Sequence, residues 1–198
     1  MRKNRLILAL LFSLLAAVSD ARAQTPQTHD EFVAAGKEAA ARKDYSAAAG
    51  WYSKALAVRP DNYDILYARA GAYLLIGKHD NAIKDLTVIL NVQPKNIQVL
   101  YARASYYNAK GDHKKAAKDA ESILKLDKEN AGAYQARGTA YFGQKKYKEA
   151  EADLTNSIRL NPQDPVSYIV RGALYEVQGN AAMAQADKLK AEQLKGGK

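Results

Sequence analysis

Arginine and aspartate recur in this chain with a fixed offset. Arg69, Arg103, Arg137 and Arg171 step by 34 residues, and so do Asp85, Asp119, Asp153 and Asp187, each 16 residues after its arginine. A guanidinium presents parallel N–H groups that match the two oxygens of a carboxylate. Two chemistries follow from such a pairing. The arginines can form a ladder of internal ion pairs, one per repeat, or a row that grips anionic ligands. The ladder is the expected use, because an arginine with a fixed acidic companion is normally satisfied by it. Ala35 and Trp51 stand where the first pair would fall, which suits a terminal repeat with no earlier neighbour.

A second charged group is basic throughout. His113, Lys114, Lys115 and Lys118 are followed at the equivalent place of the next repeat by Lys145, Lys146 and Lys148. Stacked repeats would set them side by side as a basic edge. A lipid head group, a polysaccharide or an acidic protein could sit there; the plainer reading is a solvated charged face. The histidines promise little. His79 and His113 share a repeat position with Tyr45 and Tyr147, so they read as substitutes for a turn aromatic, and His29 is expected at a loose N-terminal edge. There is no cysteine, hence no disulfide, thiol nucleophile or cysteine-based zinc site. No His-x-x-x-His, glycine-rich phosphate loop or Ser/His/Asp grouping appears. The expectation is a protein with no catalytic residue, no metal and no cofactor, and not an enzyme.

These residues are positioned by a repeat. Tyr73, Tyr107, Tyr141 and Tyr175 step by 34 residues, as do Ala48, Ala82, Ala116, Ala150 and Ala184. A fixed period of this size marks a stacked architecture in which one unit cannot bury its own apolar face and neighbours must cover it. The units are 29–62, 63–96, 97–130, 131–164 and 165–194. In the second, Leu66, Ala70 and Tyr73, then Ala82, Leu86, Ile89 and Leu90, fall at helical spacing. Gly77, Gly111 and Gly179 mark the break between the two helices of a unit. Asn62, Asn96, Asn130 and Asp164 end the units and suit the N-cap of the next helix. Pro60, Pro94 and Pro162 stop the preceding one. The sequence thus predicts an all-α chain of helix–turn–helix units. Gly36, Ala70, Ala104, Gly138 and Gly172 allow close helix approach, and the tyrosine series is expected to fill the core beside them.

The N-terminus reads as a leader. A basic start, Arg2, Lys3 and Arg5, precedes an apolar run of 13 residues from Leu6 to Val18, broken only by Ser13, and then Ala21-Arg22-Ala23. This is the pattern of a secretory signal peptide over 1–23, cut before Gln24, with 24–28 a short linker. The run is short for a membrane span, so no transmembrane anchor is expected in the mature chain. Export to a bacterial periplasm is the simplest destination. Of the net charge of +9, the part after the leader carries +6. That favours anionic surfaces and acidic partners; nucleic acid is not an expected partner of an exported chain. Residues 195–198 read as a frayed tail.

Phe32-x-x-x-Gly36 with Ala48, Tyr52, Ala55 and Pro60, and Tyr134-x-x-Arg137-Gly138-x-x-Tyr141 with Ala150, Leu154 and Pro162, resemble the tetratricopeptide repeat (TPR). The resemblance covers essentially all of the chain after the leader. Three departures stand out: Lys128 replaces a proline, Lys145 a break glycine, and Lys188 an apolar residue of the last helix. The resemblance implies a right-handed superhelical solenoid whose inner groove is lined by the first helices. Its lining would include Asp64, Tyr67, Leu74 and Leu75, then Gln98, Tyr101, Ser105 and Asn108, then Gln135, Thr139 and Phe142, then Ile169 and Glu176. Members that serve cytosolic chaperones hold a C-terminal carboxylate there with basic residues and asparagines, and those basic residues are absent here. The resemblance implies a scaffold or adaptor that binds an extended segment or helix of a protein or peptide partner in the groove, set by the leader in the bacterial cell envelope. The alternative is binding of an anionic envelope component at the basic edge.

Overall fold

The structure, a computed structural model, describes residues 28–196. The expected leader, and the linker up to Thr28, lie outside the described residues. The described residues form ten helices and no strand. In chain order they are α1 (His29–Ala41), α2 (Tyr45–Val58), α3 (Tyr63–Leu75), α4 (His79–Val92) and α5 (Ile97–Lys110). Then come α6 (His113–Leu126), α7 (Ala131–Gly143), α8 (Tyr147–Leu160), α9 (Pro165–Val177) and α10 (Ala181–Gly196). The odd-numbered helices begin at the five expected unit starts. The last helix takes in Lys195 and Gly196, so less of the C-terminus is tail than the sequence suggests.

Local chemistry explains the start of each unit's first helix. The side chains of Asn62, Asn96 and Asn130 accept from the backbone N–H of Ile65, Val99 and Ala133 at 3.2, 3.2 and 2.9 Å. Asp164 caps α9 through Val166, and Pro165 occupies the first turn, where it loses no hydrogen bond. Thr28 and Glu31 form a reciprocal capping box on α1. The break within a unit is a single left-handed residue. Gly77, Gly111 and Gly179 adopt φ of 74°, 90° and 77°, and Lys43 and Lys145 take the same conformation at 62° and 61°.

Each helix packs on the next in the chain. Small residues set the spacing: a Cβ added to Gly36 would lie 2.5 Å from the Tyr52 ring, and one on Gly138 would lie 2.9 Å from Leu154 Cγ. The apolar interior is not uniform. One cluster extends from Ala39 through Leu86 to Ile123 and Ala133; another joins Ala150, Leu154, Leu174, Tyr175 and Ala184. Between them lie two small clusters whose buried members are all alanine: Ala104, Ala120 and Ala136, and Ala116, Ala117 and Ala140. Tyr107 and Tyr141 flank the second of these.

Candidate functional site

The ladder forms in four units. In each, the arginine Nε and Nη2 donate to the two carboxylate oxygens of the aspartate at 2.7–2.9 Å. The pair joins the first helix of a unit to its second, and the aspartates are buried. The hydrogen bond to aspartate raises each arginine pKa, against the opposing effect of burial. A third link was not anticipated. Nη1 of Arg69, Arg103 and Arg171 donates to Ser53, Thr87 and Thr155 of the preceding unit at 3.0, 3.1 and 3.1 Å. The ladder therefore ties units to each other as well as closing each one. The step of 34 among these hydroxyls is the sequence signal that would have revealed it.

The tyrosine series packs beside the core and does more than the sequence suggests. Tyr73, Tyr107 and Tyr141 are only half-buried, while Tyr175 is buried. Each ring stands 5.6–5.8 Å from the guanidinium carbon of its own unit. These rings flank the core clusters as expected and serve in addition as platforms for the arginines; a cation over an aromatic face is favourable. Where the ladder is missing, Trp51 stacks on Phe32 at 6.2 Å and Lys54 Nζ lies 4.1 Å from the Trp51 ring centre.

The groove residues divide into open and engaged sets. Tyr67 lines a recess of about 330 Å³ with Asp64, Gln98, Tyr63 and Gln93. Tyr101 and Ile169 are 37 % and 40 % exposed, and Leu74, Ser105, Thr139 and Phe142 are half-buried. The amides are less open than their sequence positions suggest. Gln135 is buried, and its oxygen accepts from the Tyr101 hydroxyl at 2.9 Å. The Asn108 side-chain amide donates to the Ala136 carbonyl at 2.8 Å, and its oxygen faces His113 Nδ1 at 3.3 Å. Gln144 donates to the His113 carbonyl at 3.3 Å. Asn108 and Gln135 thus fasten the third unit to the fourth. The Tyr101 phenol has its pKa pushed up by burial and then by the charge of Asp164.

Of the basic edge, Lys114, Lys118 and Lys146 come together around a recess of about 280 Å³, with Glu121, Tyr141 and Gln144 in the same wall. Lys115 turns aside to Asp112 at 3.4 Å and lies 5.4 Å from the Tyr107 ring centre. Lys145 and Lys148 are exposed outside that recess. His29 corrects the expectation of a loose edge. It is buried, its Nδ1 donates to the Ala55 carbonyl at 3.0 Å, and its Nε2 accepts from the Asn62 amide at 3.1 Å. Asn62 Oδ1 meanwhile caps α3, so one histidine links both helices of the first unit to the start of the second. Among the described residues, no group of three or more His, Cys, Asp or Glu is placed to hold a metal, and no helix is long and apolar enough to cross a membrane.

Helical hairpins of constant length, packed in chain order and pinned by a repeating ion pair, define an all-α repeat array. The comparisons agree with that class. Models described as tetratricopeptide repeat match residues 39–106, 97–130 and 131–164. The chain belongs to the tetratricopeptide repeat family. It is similar to a tetratricopeptide repeat protein of known crystal structure from Parabacteroides merdae, with a TM-score of 0.76 and 26 % identity over 91 % of this chain and 70 % of that one. It shares its fold with MamA from Desulfovibrio magneticus, with a TM-score of 0.72 at 15 % identity over 87 % and 98 % of the two chains. Over 65 residues it is 42 % identical to the heat-shock protein cognate (HSC) co-chaperone sgt12 of Aspergillus fumigatus. That match covers 33 % of this chain and 19 % of the relative, so the chain spans about a fifth of that protein's length.

Proposed function

We propose that this protein is an exported scaffold or adaptor of the bacterial cell envelope that holds an extended segment or helix of a partner protein against its first helices. TPR proteins mediate protein–protein interactions. The observation that carries the reading is the set of large apolar and aromatic side chains left open on those helices. Tyr101, Val166 and Ile169 are 37–42 % exposed, and Leu75 and Val177 about 60 %. Beside them the recess at Tyr67, Asp64 and Gln98 offers polar groups for a peptide backbone. The basic residues of a chaperone-type carboxylate clamp are missing from these positions, so the co-chaperone likeness does not supply the partner. The envelope setting is supported by the leader pattern alone.

The test is crosslinking from the exported compartment, with the chain beginning at Gln24 carrying a photoreactive residue at position 169. A partner that crosslinks to the parent chain and is lost from Tyr67→Ala/Tyr101→Ala, with helicity intact by circular dichroism, supports the groove. Because Tyr101 also holds Gln135, Leu75→Asp, at an exposed position of the same helix set, provides a second variant that removes no hydrogen bond. A partner kept by both variants but released by moderate salt moves the site to the lysines. A native N-terminus at Met1, or an uncut leader, removes the envelope assignment.

A further inference from the structure

The ladder has one irregular rung. Serine or threonine stands at 53, 87 and 155, where the hydroxyl receives Nη1 of the next unit's arginine, but position 121 of the same series is glutamate. Arg137 holds Asp153 through Nε and Nη2, as its counterparts do, yet its Nη1 has no hydrogen-bond partner among the described residues. Glu121 does not close on it: the carboxylate makes no hydrogen bond or ion pair there, although its charge is felt by both Arg137 and Tyr141. Among the described residues the one buried side-chain polar atom without a partner is His79 Nδ1, so the free edge of Arg137 is reached by solvent. Arg137 is also the most exposed arginine of the ladder, at 23 % against 16–18 % for the others.

A guanidinium N–H that only donates and a carboxylate that only accepts are therefore left beside each other where the other rungs hold a hydroxyl. A hydroxyl both donates and accepts, so a ligand hydroxyl can satisfy the two groups at once. The recess that contains Glu121 and Tyr141 is lined also by Lys114, Lys118 and Lys146. None of the three is in an ion pair among the described residues, and Lys146 lies over the Tyr141 ring at 5.5 Å. They supply a place for an anionic group in the recess to which Glu121 also contributes.

We propose that the boundary between the third and fourth units is a binding site for a carboxylate-bearing saccharide, one uronate ring of an acidic polysaccharide, with a ring hydroxyl between Arg137 Nη1 and Glu121 and the carboxylate among Lys114, Lys118 and Lys146. The site lies apart from the groove residues, and its test does not depend on a groove partner. Glu121 is what favours a sugar acid over a plain anion. Phosphate offers no set of neutral hydroxyls, and a carboxylate in the wall repels it.

The experiment is calorimetric titration of the mature chain with trigalacturonate, set beside neutral maltotriose, pentaglutamate and anionic phospholipid vesicles. Trigalacturonate is expected to bind and the other three to bind at least roughly tenfold more weakly, the scale of one lost charge-assisted hydrogen bond. Glu121→Ser restores the hydroxyl of the other rungs. It is expected to fold with an unchanged or higher melting temperature and to lose roughly tenfold in trigalacturonate affinity. A simple basic patch behaves oppositely, since removing a negative charge strengthens its hold on any anion. Tighter binding by Glu121→Ser overturns the proposal, as does no binding to the parent chain or equal binding of pentaglutamate or vesicles. Lys118→Gln is expected to weaken trigalacturonate binding and leave the melting temperature in place; unchanged affinity counts against the lysine assignment.

Discussion

Arg103 donates from Nη1 to the Thr87 hydroxyl at 3.1 Å, across the boundary between two repeats, while its other edge is closed by Asp119. One guanidinium therefore connects three helices, α4, α5 and α6. Thr87→Val removes the link between units, together with the bond its hydroxyl donates to the Ile83 carbonyl at 2.7 Å, and is expected to cost about 1 kcal/mol. Asp119→Ala leaves a largely buried arginine unpaired and is expected to cost about 3–5 kcal/mol. Urea unfolding followed by circular dichroism separates the two. An Asp119→Ala cost no larger than that of Thr87→Val would show that the buried ion pair does not hold the hairpin.

Tyrosine ionisation sets the alkaline limit. Burial raises the phenol pKa of Tyr52, Tyr101, Tyr106, Tyr141 and Tyr175. A group with a raised folded pKa contributes stability below its unfolded value, near 10 for tyrosine, and that contribution is lost as pH rises through the folded value. Stability is expected to be flat with respect to these groups at neutral pH and to fall above about pH 10. Phenolate absorbance in the folded chain should lag behind that of the urea-unfolded chain. Tyr101→Phe should reduce the alkaline loss; an unchanged profile would remove Tyr101 from the effect.

Two glycines in first helices should respond with opposite sign to the same substitution. A Cβ on Gly138 meets Leu154 Cγ at 2.9 Å and Asp153 Cβ at 3.2 Å, whereas one on Gly71 meets nothing within 4 Å. Gly138→Ala is expected to destabilise by about 1–3 kcal/mol through overpacking. Gly71→Ala is expected to stabilise by about 0.5–1 kcal/mol, because alanine loses less backbone entropy in a helix. Thermal melts of the two single variants check both signs.

Lys145 takes a left-handed conformation that three other units give to glycine. Lys145→Gly is expected to raise stability by about 1 kcal/mol, and Gly111→Ala to lower it by a similar amount. Loss of stability in Lys145→Gly would mean that the lysine side chain has a structural role at the turn.

The period, the helix boundaries and the pairing within each ladder rung were legible because each depends on residues at fixed offsets. An asparagine three residues before the N–H it caps, or an arginine 16 residues before its aspartate, is visible in one dimension. What escaped depends on how neighbouring units meet. The Ser53, Thr87 and Thr155 hydroxyls look like ordinary exposed helix positions until the next unit's arginine is laid across them. His29 looked loose because its main acceptor is the backbone carbonyl of Ala55, which leaves no trace in residue type. Asn108 and Gln135 looked like groove amides because their partners, the Ala136 carbonyl and the Tyr101 phenol, come from adjoining units.

The alanine-only clusters between the third and fourth units have a thermal consequence. Interfaces built from Leu, Ile and Tyr side chains owe their strength to apolar burial, which fades on cooling and carries most of the heat-capacity change of unfolding. Beyond Ile123, the third-to-fourth boundary buries mostly small methyl groups and is closed by Tyr101–Gln135, Asn108–Ala136 and Gln144–His113 hydrogen bonds. Its share of the heat capacity is correspondingly small. As the temperature drops toward freezing, the apolar boundaries on either side lose grip faster than this hydrogen-bonded one, so cooling shifts the balance of the array toward its middle joint.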